Sequence, residues 1–137
     1  MQIIARAKEI RISPRKVRLV ADSIRNLGVE EAIDALGVIQ KRGAYDLRKT
    51  LKSAVANAVN NSNLDRTNLK IKNIDISEGS VLKRYHPSTR GRIHPYQKRS
   101  TNIRIVLEEK SEALNPKSET NTKENNDKKS LEKEVSK

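Results

Sequence analysis

The sequence has no cysteine, tryptophan or phenylalanine, and only one methionine and three tyrosines in 137 residues. Without cysteine there is no disulfide scaffold and no thiolate metal site. Without large aromatics a core must be built from Ile, Leu, Val and Ala, and with 34% apolar residues that core is thin. Long apolar runs are missing too, since no stretch approaches the roughly 20 residues of a membrane span. The opening segment MQIIARAKEIRI carries Arg6, Lys8 and Glu9 where a secretory signal needs an unbroken apolar run. These absences predict a soluble chain that is neither secreted nor held in a membrane.

What is abundant is positive charge. Net charge is +12, and it is unevenly spread: residues 1–107 hold 22 Lys or Arg against 9 Asp or Glu, whereas residues 108–137 hold 7 against 8. The first part therefore carries all the excess. A domain of such charge repels copies of itself, so no homo-oligomer is expected, and it attracts polyanions, with nucleic acid ahead of an anionic membrane surface. A membrane-surface protein would need an amphipathic helix with bulky aromatics opposite its lysines, and none is present. Residues 111–137 lack apolar periodicity and are rich in Lys, Glu, Asn and Ser, which predicts a disordered polar tail after a domain of about 110 residues.

Within residues 1–110 the patterns are local and readable. Residues 2–12 read as a strand with Ile4, Ile10 and Ile12 among basic residues. Ser13 is placed to cap a helix with Pro14 in its first turn; Val17, Val20, Ala21, Ile24 and Leu27 form its apolar stripe, and Gly28 is placed to end it. A short helix follows over about Glu30–Leu36, with Glu30, Glu31 and Asp34 near the positive end of its dipole. A third helix spans about Ala44–Asn60, with Leu47, Leu51, Ala54, Val55 and Ala58 on one face. Leu69 and Ile71, then Ile74 and Ile76, alternate with a one-residue slip near Asn73 that predicts a bulge. Ile103, Ile105 and Leu107 alternate cleanly in a second core strand.

Between these two strands lies SVLKRYHPSTRGRIHPYQKRST. From Ser80 to Leu107 there is no acidic residue, while Lys83, Arg84, Arg90, Arg92, Lys98, Arg99 and Arg104 are all positive. A turn signal at Pro87–Gly91 makes two arms of a hairpin; arms of about eight to ten residues would reach roughly 25–35 Å. Adjacent pairs, Lys83-Arg84 and Lys98-Arg99, put charge on both faces of both arms, so neither face is suited to an apolar protein surface. Phosphates on both sides would suit such a ribbon. Tyr85 and Tyr96 flank the turn symmetrically and would either pair across the strands or stack on unpaired bases.

Chemistry-bearing constellations are absent. His86 and His94 also flank the turn, but two His without Cys, Asp or Glu nearby fall short of a zinc site, so they are expected to be solvated or to contact RNA. No metal and no other cofactor is expected. The acids at 30, 31 and 34 are accounted for by a helix start, Ser13 by a cap, and the scattered glycines form no phosphate loop. An enzyme is not expected.

Four strings in order, ISPRKVRLVADSIR (Ile12–Arg25), LKSAVANAVNN (Leu51–Asn61), SEGSVLKR (Ser77–Arg84) and GRIHPYQKRSTNIRIVL (Gly91–Leu107), resemble the large-subunit ribosomal protein twenty-two family. The resemblance covers residues 3 to about 110. It implies an α+β fold, three helices packed on a three-stranded antiparallel sheet, with a long protruding basic β-hairpin at about 80–101. It also implies a constituent of the large ribosomal subunit, in the cytoplasm or an organelle, that binds 23S-type rRNA and supports assembly beside neighbouring large-subunit ribosomal proteins. By position, Arg11, Arg15, Lys16, Arg18, Lys83, Arg84, Lys98 and Arg99 would contact rRNA. The hairpin tip, Ser88, Thr89, Arg90, Gly91 and Arg92, would face the nascent peptide in the exit tunnel, near where macrolide antibiotics bind. The chain departs from the family pattern at Ser77, Ser80, Pro95 and Asn102. Composition alone also allows a free RNA-binding architectural or chaperone protein.

Overall fold

A computed structural model describes residues 1–110; the expected tail at 111–137 lies outside the described residues. Strand β1 (Gln2–Ile10) is followed by helices α1 (Pro14–Ile24), α2 (Val29–Val38) and α3 (Arg42–Ser62). A short 3₁₀ turn, Arg66–Asn68, leads into β2 (Leu69–Pro87), and β3 (Ile93–Glu109) returns. The sheet order is β1-β3-β2, and both pairings are antiparallel. This is the α+β arrangement of three helices and a three-stranded sheet that the family resemblance implied.

The core is aliphatic, since Phe and Trp are absent and none of the three tyrosines enters it. Ile103, Ile105 and Leu107 of the central strand are 1% exposed or less, and Ile3 and Ala5 of β1 and Leu69, Ile71 and Ile74 of β2 flank them on the same face. The ladder shifts register between Ile71 and Asn73, as the phase slip predicted. Without that extra residue Ile74 would point to the opposite face of the sheet; with it, Ile71 and Ile74 are buried together. Leu47, Leu51, Ala54 and Ala58 of α3 are fully buried, and the two alanines let the helix backbone approach its neighbours closely.

Helix capping and helix boundaries differ from expectation. The Ser13 side chain makes no capping bond; its carbonyl instead accepts from Lys16 N at 3.0 Å and Val17 N at 3.4 Å, and the buried Pro14 supplies the start by its fixed φ. Helix α1 ends at Ile24, before Gly28, because Leu27 N folds back onto Ile24 O at 3.2 Å. Gly28 begins α2 instead: its N–H donates to Glu31 Oε2 at 3.3 Å, and its carbonyl accepts from Ala32 N at 2.8 Å. Helix α3 runs two residues further at each end than its apolar stripe indicated. It closes on left-handed Asn63 (φ 51°), with Asn63 N and Leu64 N bonded back to Val59 O and Ala58 O, both at 3.2 Å.

A core this thin has little to lose. Leu51→Ala should reduce unfolding free energy by about 2–5 kcal/mol, the range for a fully buried leucine, measurable as a shift in urea midpoint at unchanged slope. Leu82→Ala on the exposed hairpin should stay within about 0.5 kcal/mol.

Candidate nucleic-acid interface

Beyond the Glu78–Thr101 pair the third strand is gone, and β2 and β3 continue alone as a two-stranded ribbon. Pairing holds from Val81↔Arg99 to Pro87↔Ile93; counted from the Glu78–Thr101 pair the arms are residues 79–87 and 93–100, which at about 3.3 Å per residue extend roughly 25–30 Å, as expected. A second register shift, between Glu78 and Val81, lies at the base of the ribbon. Pro95 is accommodated in the ladder opposite Tyr85, since in a ribbon of two strands each has an open edge where a missing N–H costs nothing. The tip is closed by Ser88 N donating to Arg92 O at 2.7 Å and Arg92 N donating to Thr89 O at 3.3 Å. Arg90 (φ 57°) and Gly91 (φ 71°) are both left-handed, and only the glycine takes that conformation without steric cost. All five tip residues are exposed.

Opposite residues share a face, so the register sorts the side chains. One face carries Leu82, Arg84, His86, His94, Tyr96 and Lys98. The other carries Val81, Lys83, Tyr85, Pro87, Ile93, Pro95, Gln97 and Arg99. Charge on both faces is therefore found in the inner arms, but the outer half of the second face is apolar, contrary to expectation. A Tyr85–Tyr96 pair does not form. Tyr96 lies opposite Arg84 and stacks on His86, ring centroids 4.8 Å apart and 26° from parallel, while Tyr85 projects from the other face.

The ribbon is fastened where it leaves the body. Glu9, left-handed at φ 57° in an irregular stretch of β1, aims its carboxylate at the base of the hairpin. It accepts from Ser80 N at 3.2 Å and Ser80 Oγ at 2.5 Å, and Ser100 Oγ lies 2.9 Å away. Its own N–H donates to Asn102 Oδ1 at 2.9 Å. A Cβ on Gly79 would sit 2.4 Å from Ser100 Oγ and 3.2 Å from Glu9 Oε1, so only glycine leaves room for this clasp. Ser80 and Asn102 are both part of it. One residue along, buried Thr101 donates through Oγ1 to Ile12 O and ties β3 to the chain entering α1.

Above the clasp lies a groove of about 1320 Å³ between the start of α1, the α2–α3 connection and the first hairpin face. It gathers Arg11, Lys16, Arg84, Lys98 and Arg99 from the sequence-expected set, together with Lys41 and Arg42, which sequence reasoning missed. Leu19, Ile39 and Leu82 contribute apolar surface. Of the other expected residues, Arg15 is exposed on α1 and Lys83 points from the far hairpin face. Arg18 is partly committed to structure, its guanidinium donating to Ile76 O at 3.0 Å. Among the described residues the groove cations form no salt bridge except a long one, Arg99 to Glu78 at 3.8 Å. The one groove carboxylate, Glu9, is taken up by the two serines. An open trough of uncompensated guanidinium and ammonium groups is suited to a phosphate backbone. Among the described residues no three His, Cys, Asp or Glu come together as metal ligands, and no helix is long and apolar enough to cross a membrane.

The family model for ribosomal protein L22p/L17e matches residues 5–108. The chain belongs to that family. Among similar proteins, the large ribosomal subunit protein uL22 of Mesoplasma florum is 47% identical over 107 residues, covering 78% of this chain and 96% of the relative. Those of Thermus thermophilus (47% over 110 residues, 80% and 97%) and Carboxydothermus hydrogenoformans (43% over 112 residues, 82% and 99%) match over the same extent. The L22p/L17e match thus takes in the body, the groove and the whole hairpin.

The clasp has a pH signature. Hydrogen bonds from the Ser80 hydroxyl, then the Ser100 hydroxyl, then the Ser80 amide hold the Glu9 carboxyl below its ordinary value of 4.5. A depressed carboxyl stabilises the fold above the ordinary value, and that contribution is lost as pH falls through the depressed one. Acidification should therefore release the Ser80 amide to solvent exchange while the Ile103–Leu107 amides remain protected. Glu9→Gln should show fast Ser80 exchange already at neutral pH and no further acid step, as followed by amide exchange in NMR.

Proposed function

We propose that this chain is a structural constituent of the large ribosomal subunit that binds 23S-type rRNA through the basic groove and hairpin arms, supports subunit assembly and lines the nascent-peptide exit tunnel with its hairpin tip. The observation that carries this reading is the convergence of seven cations from three segments distant in sequence, Arg11 and Lys16, Lys41 and Arg42, and Arg84, Lys98 and Arg99, onto one trough. Family membership supports it, as do relatives named as large ribosomal subunit proteins over nearly their whole length. Residues 1–110 act as the ribosomal domain, seated among neighbouring large-subunit proteins in a cytoplasmic or organellar ribosome. The role is architectural and asks for no catalysis or cofactor.

Binding by phosphate neutralisation has a measurable slope. If the domain neutralises about six to eight phosphates, log affinity for a large-subunit rRNA fragment should fall with log salt at about 0.7–0.9 per contact. Lys41→Gln with Arg42→Gln should lower that slope by about two contacts. A slope unchanged by this pair would remove them from the interface, and affinity independent of salt would reject phosphate binding altogether.

Arms and tip should separate in function. Replacing Lys83, Arg84, Lys98 and Arg99 together by Gln removes four charges from a thin ribbon and should reduce the yield of large subunits containing the protein. Arg90→Gln with Arg92→Gln should leave that yield nearly intact and alter stalling on a tunnel-sensitive peptide. The reverse pattern, in gradient-purified subunits, would reject the tunnel assignment.

A further inference from the structure

The hairpin register creates a surface that phosphate binding does not use. Along the outer half of the second face, Tyr85 lies opposite Pro95 and Pro87 opposite Ile93. Tyr85 and Ile93 are each 64% exposed, and no described residue covers them. The two tyrosines are thereby distinguished. Tyr96 is half-buried and its ring is already stacked on His86, whereas the Tyr85 ring is unpartnered. We propose that this face is a stacking platform for unpaired nucleobases of the RNA, with Tyr85 as its centre and Ile93, Pro87 and Pro95 as its apolar floor.

Charge complementarity selects the occupant. Lys83 sits two residues inboard of Tyr85 on the same face, roughly 7 Å along the arm. Arg90 and Arg92 close the other end at the tip, and no acid occurs from Ser80 to Leu107. An apolar protein segment laid here would strip water from those cations without compensating them. A nucleotide brings both parts at once: a base whose π-face fits an aromatic ring, and a phosphate within reach of Lys83 or Arg92. The hairpin is then two-sided in chemistry, phosphates alone on the groove face and bases with their phosphates on the opposite one. This rests on the rRNA-binding reading above and adds a residue-level division to it.

The test separates bases from phosphates. The full-length chain is titrated with a short oligoadenylate of about 12 nucleotides and with an abasic ribose-phosphate oligomer of equal length and charge. The wild type should bind oligoadenylate more tightly, and Tyr85→Leu should remove that preference, a loss of roughly five- to hundredfold for one stacked base. Tyr85→Phe should keep it, and Tyr96→Leu should leave the ratio of the two affinities unchanged. Because the chain has no tryptophan, Tyr85→Trp adds a single reporter, whose emission should be quenched by oligoadenylate and not by the abasic oligomer. Equal affinities, insensitive to Tyr85→Leu and without quenching, would overturn the platform and leave this face to a protein neighbour. Phosphate binding would still stand in that case, provided that Arg84→Gln with Lys98→Gln weakens both oligomers. Failure of the wild type to bind either would overturn both readings.

Discussion

The pairing of β2 with β3 connects everything else, because one antiparallel ladder runs from the middle of the core to the tip of the hairpin. The inner half of β3 is the central strand of the sheet, its Ile103, Ile105 and Leu107 enclosed by both neighbours and by the helices. The outer half of the same strand is the returning arm. Packing in the body therefore sets the direction in which the ribbon leaves, through the register shift between Glu78 and Val81 at its base. An isolated two-stranded hairpin is marginal in water. This one starts from a strand whose position is already determined by burial, and the Glu9 clasp holds it at the point where the third strand ends.

Function and stability pull in opposite directions along that ladder. The body gains its stability chiefly from aliphatic burial, and the exposed part concentrates like charges with few acids to offset them. Among the described residues the four ion pairs are all solvent-accessible and lie away from the groove or at its rim, where each is worth little. Repulsion among Arg11, Lys16, Lys41, Arg42, Arg84 and Lys98 is thus tolerated by a fold that does not depend on them. A polyanion entering the groove turns that repulsion into attraction, and counterion release drives binding. The same separation explains why Gly79 and Glu9 matter beyond their size: they hold two charged surfaces, the start of α1 and the hairpin, at one spacing.

Local and sequential features were legible from residues alone. The α1 and α3 stripes, the bulge near Asn73, the clean alternation of β3 and the basic turn at the hairpin tip each follow from interactions between residues a few positions apart, whose periodicity survives in one dimension. The family strings extended this to the α+β layout. Helix ends were less legible, as at Gly28, because a glycine between two helices can end one or begin the next, and the choice fell to the backbone bond of Leu27 and the Glu31 side chain. The site was only partly readable. Lys41 and Arg42 look like linker charges ahead of the third helix until α2 and α3 fold them against the hairpin, and Glu9 looks like a stray acid in a basic strand until Ser80 and Ser100 arrive about 70 and 90 residues later. Composition and period determined that this chain is basic, thin-cored and armed with a charged hairpin. Only the tertiary structure decided which cations share a groove and which tyrosine is left free, because both depend on strand register, and register depends on packing between segments remote in sequence.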